Sequence, residues 1–281
     1  MSRHLDTILA ELKSLEPLPH VALRVMEIGA RDEVVPLDLV TVIETDVAMT
    51  AKVLKLSNSA YYGFRREIGS LTEAGNLLGV SALVNLVLTG CAERYFRRHA
   101  HMDERLQHRL WEESVSNAIA AALLARLSGT VDRNRAYTAG LLQNIGRLVL
   151  ERHMQREEAE IERVVLQGVP RIEAERLILG VDHAEVGARL CQRWNFPEAL
   201  VDTVRHHHEP EKAERDPILC YYVHLGEQVT LRMAQDKEVN CPEYGLAPGT
   251  LERLQLEDGV IDGLQSMLVR EIERAKEFVE S

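Results

Sequence analysis

The sequence predicts an all-α fold, and three observations agree on it. Apolar residues recur at three- and four-residue spacing in almost every segment. Ser, Asp or Pro stands at the start of many of these segments, and several close on Gly. No alternating apolar–polar strand pattern of any length appears. A chain of 281 residues supplies ample material for a core.

The elements follow in order. Pro19 sits in the first turn of a helix whose Val21, Val25 and Ile28 share a face, and Gly29 ends it. Pro36 starts a second helix, "PLDLVTVIET", and Asp46 is an N-cap for a third, "VAMTAKVLKLSNSA". Ser70 and Glu73 form a capping box for a fourth, closed by Gly79, and Ser81 opens "ALVNLVLTGCAERYF". A polar break over 99–104 precedes a long helix carrying Leu110, Val115, Ile119 and Leu123, with Gly129 at its end. Asp132 caps a helix containing "GLLQNIGRLVL" (140–150), which reads as one core-facing helix. The charged helix "REEAEIERVVLQ" stops at Gly168, and a second capping box, Asp182 with Glu185, opens "AEVGARLCQRW". Pro197 starts "PEALVDTVRHHH", and Asp216-Pro217 starts "ILCYYVHLGEQVTLRM". A Pro- and Gly-containing loop, 240–249, leads to two final helices. Their Leu254, Val260, Ile261, Leu264, Met267 and Leu268 pack on the body or form an amphipathic docking face. This layout predicts an N-terminal helical half (1–100), a His-containing helical half (101–235) and a C-terminal extension (236–281).

Composition excludes several classes. No apolar run reaches the roughly 20 residues of a membrane span, and the first fifteen residues lack a secretory apolar stretch, so a cytoplasmic protein is expected. Net charge is −11, from 33 Lys and Arg against 44 Asp and Glu, with most of the excess acidity after residue 100. Such a chain is a poor candidate for wrapping nucleic acid. A basic cluster, Arg94, Arg97, Arg98, His99 and His101, reads as a solvated helix end or a patch for an acidic partner. Cys91, Cys191, Cys220 and Cys241 are widely spaced, which fits neither a disulfide framework nor a zinc knuckle.

Chemistry concentrates in Glu113, Gln143, Asn144, His183, His206, His207, His208, Glu209 and Glu227, on five helices or helix ends. In a helical bundle such residues can converge on one interior site. Imidazoles and carboxylates of this kind hold divalent ions that activate water against a phosphoryl group. Three consecutive helical residues point about 100° apart, so at most two of His206–His208 face one site. Gln143 and Asn144 stand out, because burying two adjacent amides without partners costs on the order of 1–3 kcal/mol. A second candidate surface is Asn58, Ser59, Tyr61, Tyr62 and Gly63 with Arg65 and Arg66; the alternative is an ordinary helix end with Gly63 in a left-handed turn.

Four segments, "LPHVALRVMEIGA", "IETDVAMTAKVLKLSNSAYYGFRREIGSLTEAGNLLGVSALVNLVL", "AYTAGLLQNIGRLVL" and "LGVDHAEVGARLCQRWNFPEALVDTVRHHHEP", resemble the HDOD family of HD-related output domains. The resemblance runs from about residue 16 to about 235. It implies an all-helical relative of the HD and HD-GYP metal phosphohydrolases, an HD-like bundle with an added N-terminal helical half, and a role in bacterial signal transduction. The HD relatives carry His-Asp where this chain has Gln143-Asn144, and a metal-binding His after a Trp where this chain has Trp111 followed by Glu112 and Glu113. Matching the later motifs puts His183 and His207 at positions that retain histidine, and the last carboxylate near Glu227.

Asn144 cannot bridge two ions, and the Gln143 amide is a weak ligand beside imidazole. Glu113, Gln143, Asn144, His183, His207 and Glu227 therefore read as a degenerate site with no cofactor. The amides are expected to hydrogen-bond to His183, His207 or Glu113. The expected function is a non-catalytic regulator whose partners are other signalling proteins. The alternatives are a sensor whose pocket binds a nucleotide or small anion and, less favoured, a metal-dependent phosphohydrolase. No receiver, kinase, GGDEF or EAL pattern is present, so the input is expected from a partner or a ligand.

Overall fold

The computed structural model describes residues 7, 8, 10, 12, 15, 17–31, 33–97, 103–154, 157–235, 245–257 and 260–275, and among them all regular structure is helical. The chain divides into two compact units, Pro17–Ala100 with Val269–Ser281, and His101–Leu268 with Met1–Glu16.

The smaller unit holds α1 (His20–Gly29), α2 (Pro36–Ile43), α3 (Val47–Ser57), α4 (Leu71–Leu78) and α5 (Val80–Arg97). The local signals act as read. Asp46 accepts a bond from the Met49 N–H at 3.0 Å, and Ser70 accepts one from Glu73 at 3.1 Å. Glu73 reaches back to the N–H of Gly69, one residue before the cap. Gly29 has a further reason to be glycine: a Cβ there would lie 2.7 Å from Val84 Cγ2, so it lets α1 and α5 meet closely. Leu39, Ile43, Val53, Leu56, Leu83 and Phe96 fill the core between these helices. Lys52 forms an ion pair with the buried Glu93, which Arg97 also meets at 3.0 Å. Of the basic cluster, Arg98, His99 and His101 lie outside the described residues.

The larger unit is built around α6 (Glu104–Ser128), which packs mainly against α7 (Arg133–Leu142) and α13 (Pro217–Gln235). Small residues make this possible: a Cβ on Gly140 would lie 2.7 Å from the Asn117 oxygen, and one on Gly226 would lie 3.0 Å from the Ala121 nitrogen. Between α7 and α13 come α8 (Ile145–Met154), α9 (Glu158–Val165), α10 (Arg171–Leu179), α11 (His183–Arg193) and α12 (Glu198–His206), with a 3-10 turn at Pro210–Lys212. After α13 follow α14 (Thr250–Arg253) and α15 (Val260–Arg274), which belongs to this unit as far as Leu268. Of that apolar face, Leu254, Leu264 and Leu268 are buried and Met267 is half-buried. The side chains of Val260 and Ile261 lie outside the described residues, as does Cys241. Cys91, Cys191 and Cys220 are buried and free.

The reading of 140–150 as one helix needs correction. The helix breaks at Gln143-Asn144, between α7 and α8. The backbone tightens there, with the Arg147 N–H donating to the Asn144 oxygen at 3.0 Å. Asn is a poor residue for a helix interior, and its side chain here is drawn to α13 instead. The break leads directly into the tightest contact of the unit. A Cβ on Gly146 would lie 2.0 Å from the His183 oxygen and 2.5 Å from the Gly187 nitrogen, so α8 meets α11 backbone to backbone. Gly146→Ala is expected to destabilise the protein by about 3 kcal/mol, because only backbone can yield. Gly263→Ala, at an exposed helical position with open space, is expected to be neutral or stabilising by up to ~1 kcal/mol. Urea unfolding of the two variants against wild type measures both.

Candidate functional site

The larger unit gathers three histidines. His183 is the first residue of α11, and His207 and His208 lie in the turn that ends α12. One ring nitrogen from each lies within 4.8 Å of the others. The Nε2 atoms of His183 and His208 are 2.8 Å apart.

Each ring is held from outside the cluster. Glu175, on α10 and about 1% exposed, sits against His183: its Oε2 is 2.7 Å from Nδ1 and accepts the His183 backbone N–H at 2.9 Å. A carboxylate is favoured at this spot because the first turn of α11 presents free N–H groups and a partial positive charge. Glu175 also accepts from Arg171, which forms two bonds to Glu158 at 2.8 and 3.0 Å. Burial alone would push the Glu175 carboxyl up; the charge and hydrogen bonds of His183, with Arg171, bring it down to about 2. The His207 Nδ1 faces the Val204 oxygen at 2.8 Å. The His208 Nδ1 lies 3.4 Å from Glu227 Oε2, on α13. His224, also on α13, steadies the turn itself: its Nδ1 faces the His207 oxygen at 2.8 Å, and its Nε2 accepts the Ala247 N–H at 3.0 Å. Asp182 caps α11 through the Glu185 N–H and meets Arg176 at 2.5 Å, and Arg176 reaches Glu209 at 2.9 Å. Glu209 is thus an outer ion-pair partner.

The structure places the remaining expected residues differently. Asn144 donates its amide N–H to Glu227 Oε1 at 3.1 Å, where a bond to His183, His207 or Glu113 was expected. Gln143 is fully buried, and neither of its amide atoms has a hydrogen-bond partner among the described residues. Glu113 pairs with Arg147 at 2.7 Å, and Arg109 lies 4.0 Å away. A bridged pair of divalent ions does not fit this set. Asn144 brings no charge and turns an N–H toward Glu227, and a guanidinium holds Glu113. Of the three adjacent histidines, His207 and His208 face inward, while His206 faces Asp202 at 3.6 Å.

Sequence reasoning left Glu175, His224 and Arg147 out of the site. The spacing rule admitted a second inward histidine without saying that it is His208.

The chain matches the HDOD domain model over residues 15–210. It belongs to the HDOD domain family. An uncharacterized protein of Treponema pallidum is 31% identical over 208 residues, which is 72% of this chain and 39% of that protein; the HDOD chain thus spans well under half the length of that relative. Three solved structures share the fold. A candidate phosphohydrolase from Shewanella amazonensis is 23% identical at a TM-score of 0.74, over 96% of this chain and 97% of that one. An HDOD domain protein of unknown function from Geobacter sulfurreducens is 22% identical at 0.72, over 97% and 95%. A candidate signal transduction protein from Marinobacter aquaeolei is 22% identical at 0.77, over 100% of this chain and 62% of that one.

The second candidate surface of the HDOD chain lies in the smaller unit. Asn58 follows α3, and its amide closes the loop that comes after: Nδ2 donates to Leu54 and Ile68 oxygens, each at 3.0 Å, and Oδ1 accepts the Ile68 N–H at 2.7 Å. Tyr61 and Tyr62 pack edge to face with ring centres 5.2 Å apart. Gly63 takes a φ of +66°. Arg65 and Arg66 are exposed, and Arg66 pairs with Glu73 at 2.7 Å.

The histidines make stability depend on pH. Burial, with His183 alongside, pushes His207 down to about 3, and His208 and His224 are also held below the usual imidazole range, chiefly by burial. Below about pH 6.5 the unfolded chain takes up protons that these rings refuse in the folded state. The unfolded chain then binds more protons, so stability falls as pH drops from about 7 toward 4, by about 1.4 kcal/mol per pH unit for each proton withheld. Urea unfolding at pH 7.5, 6 and 5 measures the slope. His207→Gln is expected to reduce it by close to one proton, and an unchanged slope contradicts this reading of the ring.

Proposed function

We propose that this HDOD protein is a cytoplasmic regulatory module of signal transduction that binds other proteins and hydrolyses no phosphoester. The observation that carries the reading is the environment of Asn144. An uncharged amide, donating to Glu227, stands where a bridged metal pair needs a bridging carboxylate, and Glu113 is committed to Arg147. Family membership and the structural relative described for signal transduction support the regulatory half of the reading. The exposed loop with Tyr61, Tyr62, Arg65 and Arg66 is the proposed contact surface, suited to an acidic partner. The free cysteines Cys91, Cys191 and Cys220 suit a reducing compartment, and no helix among the described residues is long and apolar enough to cross a membrane.

A second reading, a sensor of a nucleotide or small anion, is favoured by Gln143, whose buried amide lacks a partner among the described residues. Saturable binding of such a ligand that is lost in Gln143→Leu would support it.

The deciding assay uses full-length protein loaded with manganese, iron or zinc and tested on phosphodiester and phosphomonoester substrates. No turnover above that of His183→Ala is expected. Turnover abolished by His183→Ala overturns the reading. A photo-crosslinking residue in place of Arg65 is expected to form protein adducts in cells. Adducts of equal yield from a site on α15 would remove the loop as the contact surface.

A further inference from the structure

The residues around the break between α7 and α8 share one level of the helical bundle. Gly140 meets α6 at Asn117, whose oxygen would lie 2.7 Å from an added Cβ, and Arg147 meets α6 at Glu113, 2.7 Å away. Between those two contacts fall Gln143 and Asn144 on one side and Ser114 on the other. α13 joins at the same level: Asn144 bonds to Glu227 at 3.1 Å, Thr230 donates to the Asn117 Oδ1 at 2.5 Å, and Gln228 lies between Glu227 and Thr230 in the helix. The turn after α12 joins through His208, whose Nδ1 lies 3.4 Å from Glu227 and whose ring centre is 4.0 Å from that of His207.

This layer is buried, and its hydrogen bonds do not close. Ser114 Oγ, Gln143 Nε2 and Oε1, Asn144 Oδ1, Gln228 Nε2 and His207 Nε2 have no hydrogen-bond partner among the described residues. All five residues are less than a tenth exposed. A polar atom that leaves water and finds no partner is costly, and six of them would cancel the stability of an ordinary domain. A layer that gathers so many is a site that a guest completes.

The roles of these atoms define the guest. The Val204 oxygen can only accept, so the neutral His207 ring carries its hydrogen on Nδ1 and presents a lone pair at Nε2. Asn144 gives its N–H to the Glu227 carboxylate, so its oxygen presents lone pairs as well. Gln143 presents an oxygen and an NH2 side by side, and Gln228 an NH2. The Ser114 hydroxyl serves either way. Three groups therefore call for donors and two for acceptors. An anion has no donor to offer, and the buried carboxylates Glu175 and Glu227 repel it. A bare cation has no acceptor. A carboxamide has both, in the spacing of the Gln143 amide itself, so the two amides can pair face to face through two hydrogen bonds. The guest then keeps a second N–H for His207 or Asn144, and a second carbonyl lone pair for Gln228.

We propose that this layer binds one small uncharged molecule through a carboxamide group, with Gln143 as the residue that recognises it. The proposal deepens the sensor reading and rests on it for the existence of a ligand, naming an amide where that reading allowed an anion. The regulatory reading stands without it.

The test uses full-length protein at pH 7.5 and three probes of one shape: acetamide, acetate and acetamidinium. They differ in charge and in hydrogen-bond roles. Saturation-transfer NMR reads binding on the methyl group of each probe. Acetamide is expected to bind saturably, with a dissociation constant on the order of 1–10 mM for so few heavy atoms. Acetate and acetamidinium are expected to bind at least about 10-fold more weakly, because each leaves buried groups unmatched. In protein carrying nitrogen-15 glutamine, acetamide is expected to shift the side-chain NH2 signal that Gln143→Leu removes. Gln143→Leu is expected to weaken acetamide at least about 10-fold, while His206→Gln, on the outward-facing ring, matches wild type. Far-UV circular dichroism confirms that each variant is helical, and the wild-type ranking of the probes stands without any variant.

Acetate or acetamidinium binding as tightly as acetamide rules out the amide and leaves the sensor reading in place. Acetamide binding that survives Gln143→Leu removes Gln143 as the recognising residue and overturns the proposal. No saturable acetamide binding, as in a layer filled by water alone, overturns it too. Inorganic phosphate and ATP, run beside the probes, then decide the sensor reading separately.

Discussion

The candidate site depends on one buried carboxylate. Glu175 is nearly inaccessible, yet it stays ionised because three groups converge on it: the His183 ring, the His183 backbone N–H and Arg171. Removing any of them would leave charge without compensation in a low-dielectric interior. The bond to the backbone N–H sets where α11 begins. The bond to the ring sets which face His183 shows to His207 and His208. Through Arg171 and Glu158 the same carboxylate joins α9, α10 and α11, so the orientation of one imidazole is fixed by three helices.

Helix starts were legible because capping is local. Asp46, Ser70, Asp132 and Asp182 each accept an N–H from a residue two or three positions on, within the span that a sequence pattern covers. The break at Gln143-Asn144 was not legible, since apolar spacing runs through it without a gap. It coincides with a bond from Asn144 to a residue 83 positions away. The site was half legible for the same reason. His183, His207, Asn144 and Glu227 stand out by residue type and by the resemblance that aligns them. Glu175 lies on α10, a helix that the sequence patterns above did not mark, and only tertiary packing reveals its burial. The pairing of Glu113 with Arg147 likewise joins residues 34 apart that no local rule connects.

Gly146 adds a constraint of another kind. The contact of α8 with α11 is made by main chain, so the approach of the two helices leaves no room for adjustment by side-chain rotation. His183, whose carbonyl lies in that contact, is held by its backbone on one side and by its ring on the other. This is the rigidity expected where the position of a single nitrogen matters, and it agrees with the dense hydrogen bonding around the three rings.

The Asn58 amide, bonded back to Leu54 within α3 and across to Ile68 at the far end of the following segment, has a consequence for recognition. A ten-residue excursion whose ends are pinned together is an Ω-type loop with its shape already chosen. Immobilising a free loop costs roughly 0.5–1.5 kcal/mol for each rotamer-rich side chain, besides the backbone freedom lost. Here Asn58 bears much of that entropic burden during folding, before any encounter. A partner meeting Tyr61, Tyr62 and Arg65 would find the loop main chain in place, and more of its contact energy would appear as affinity.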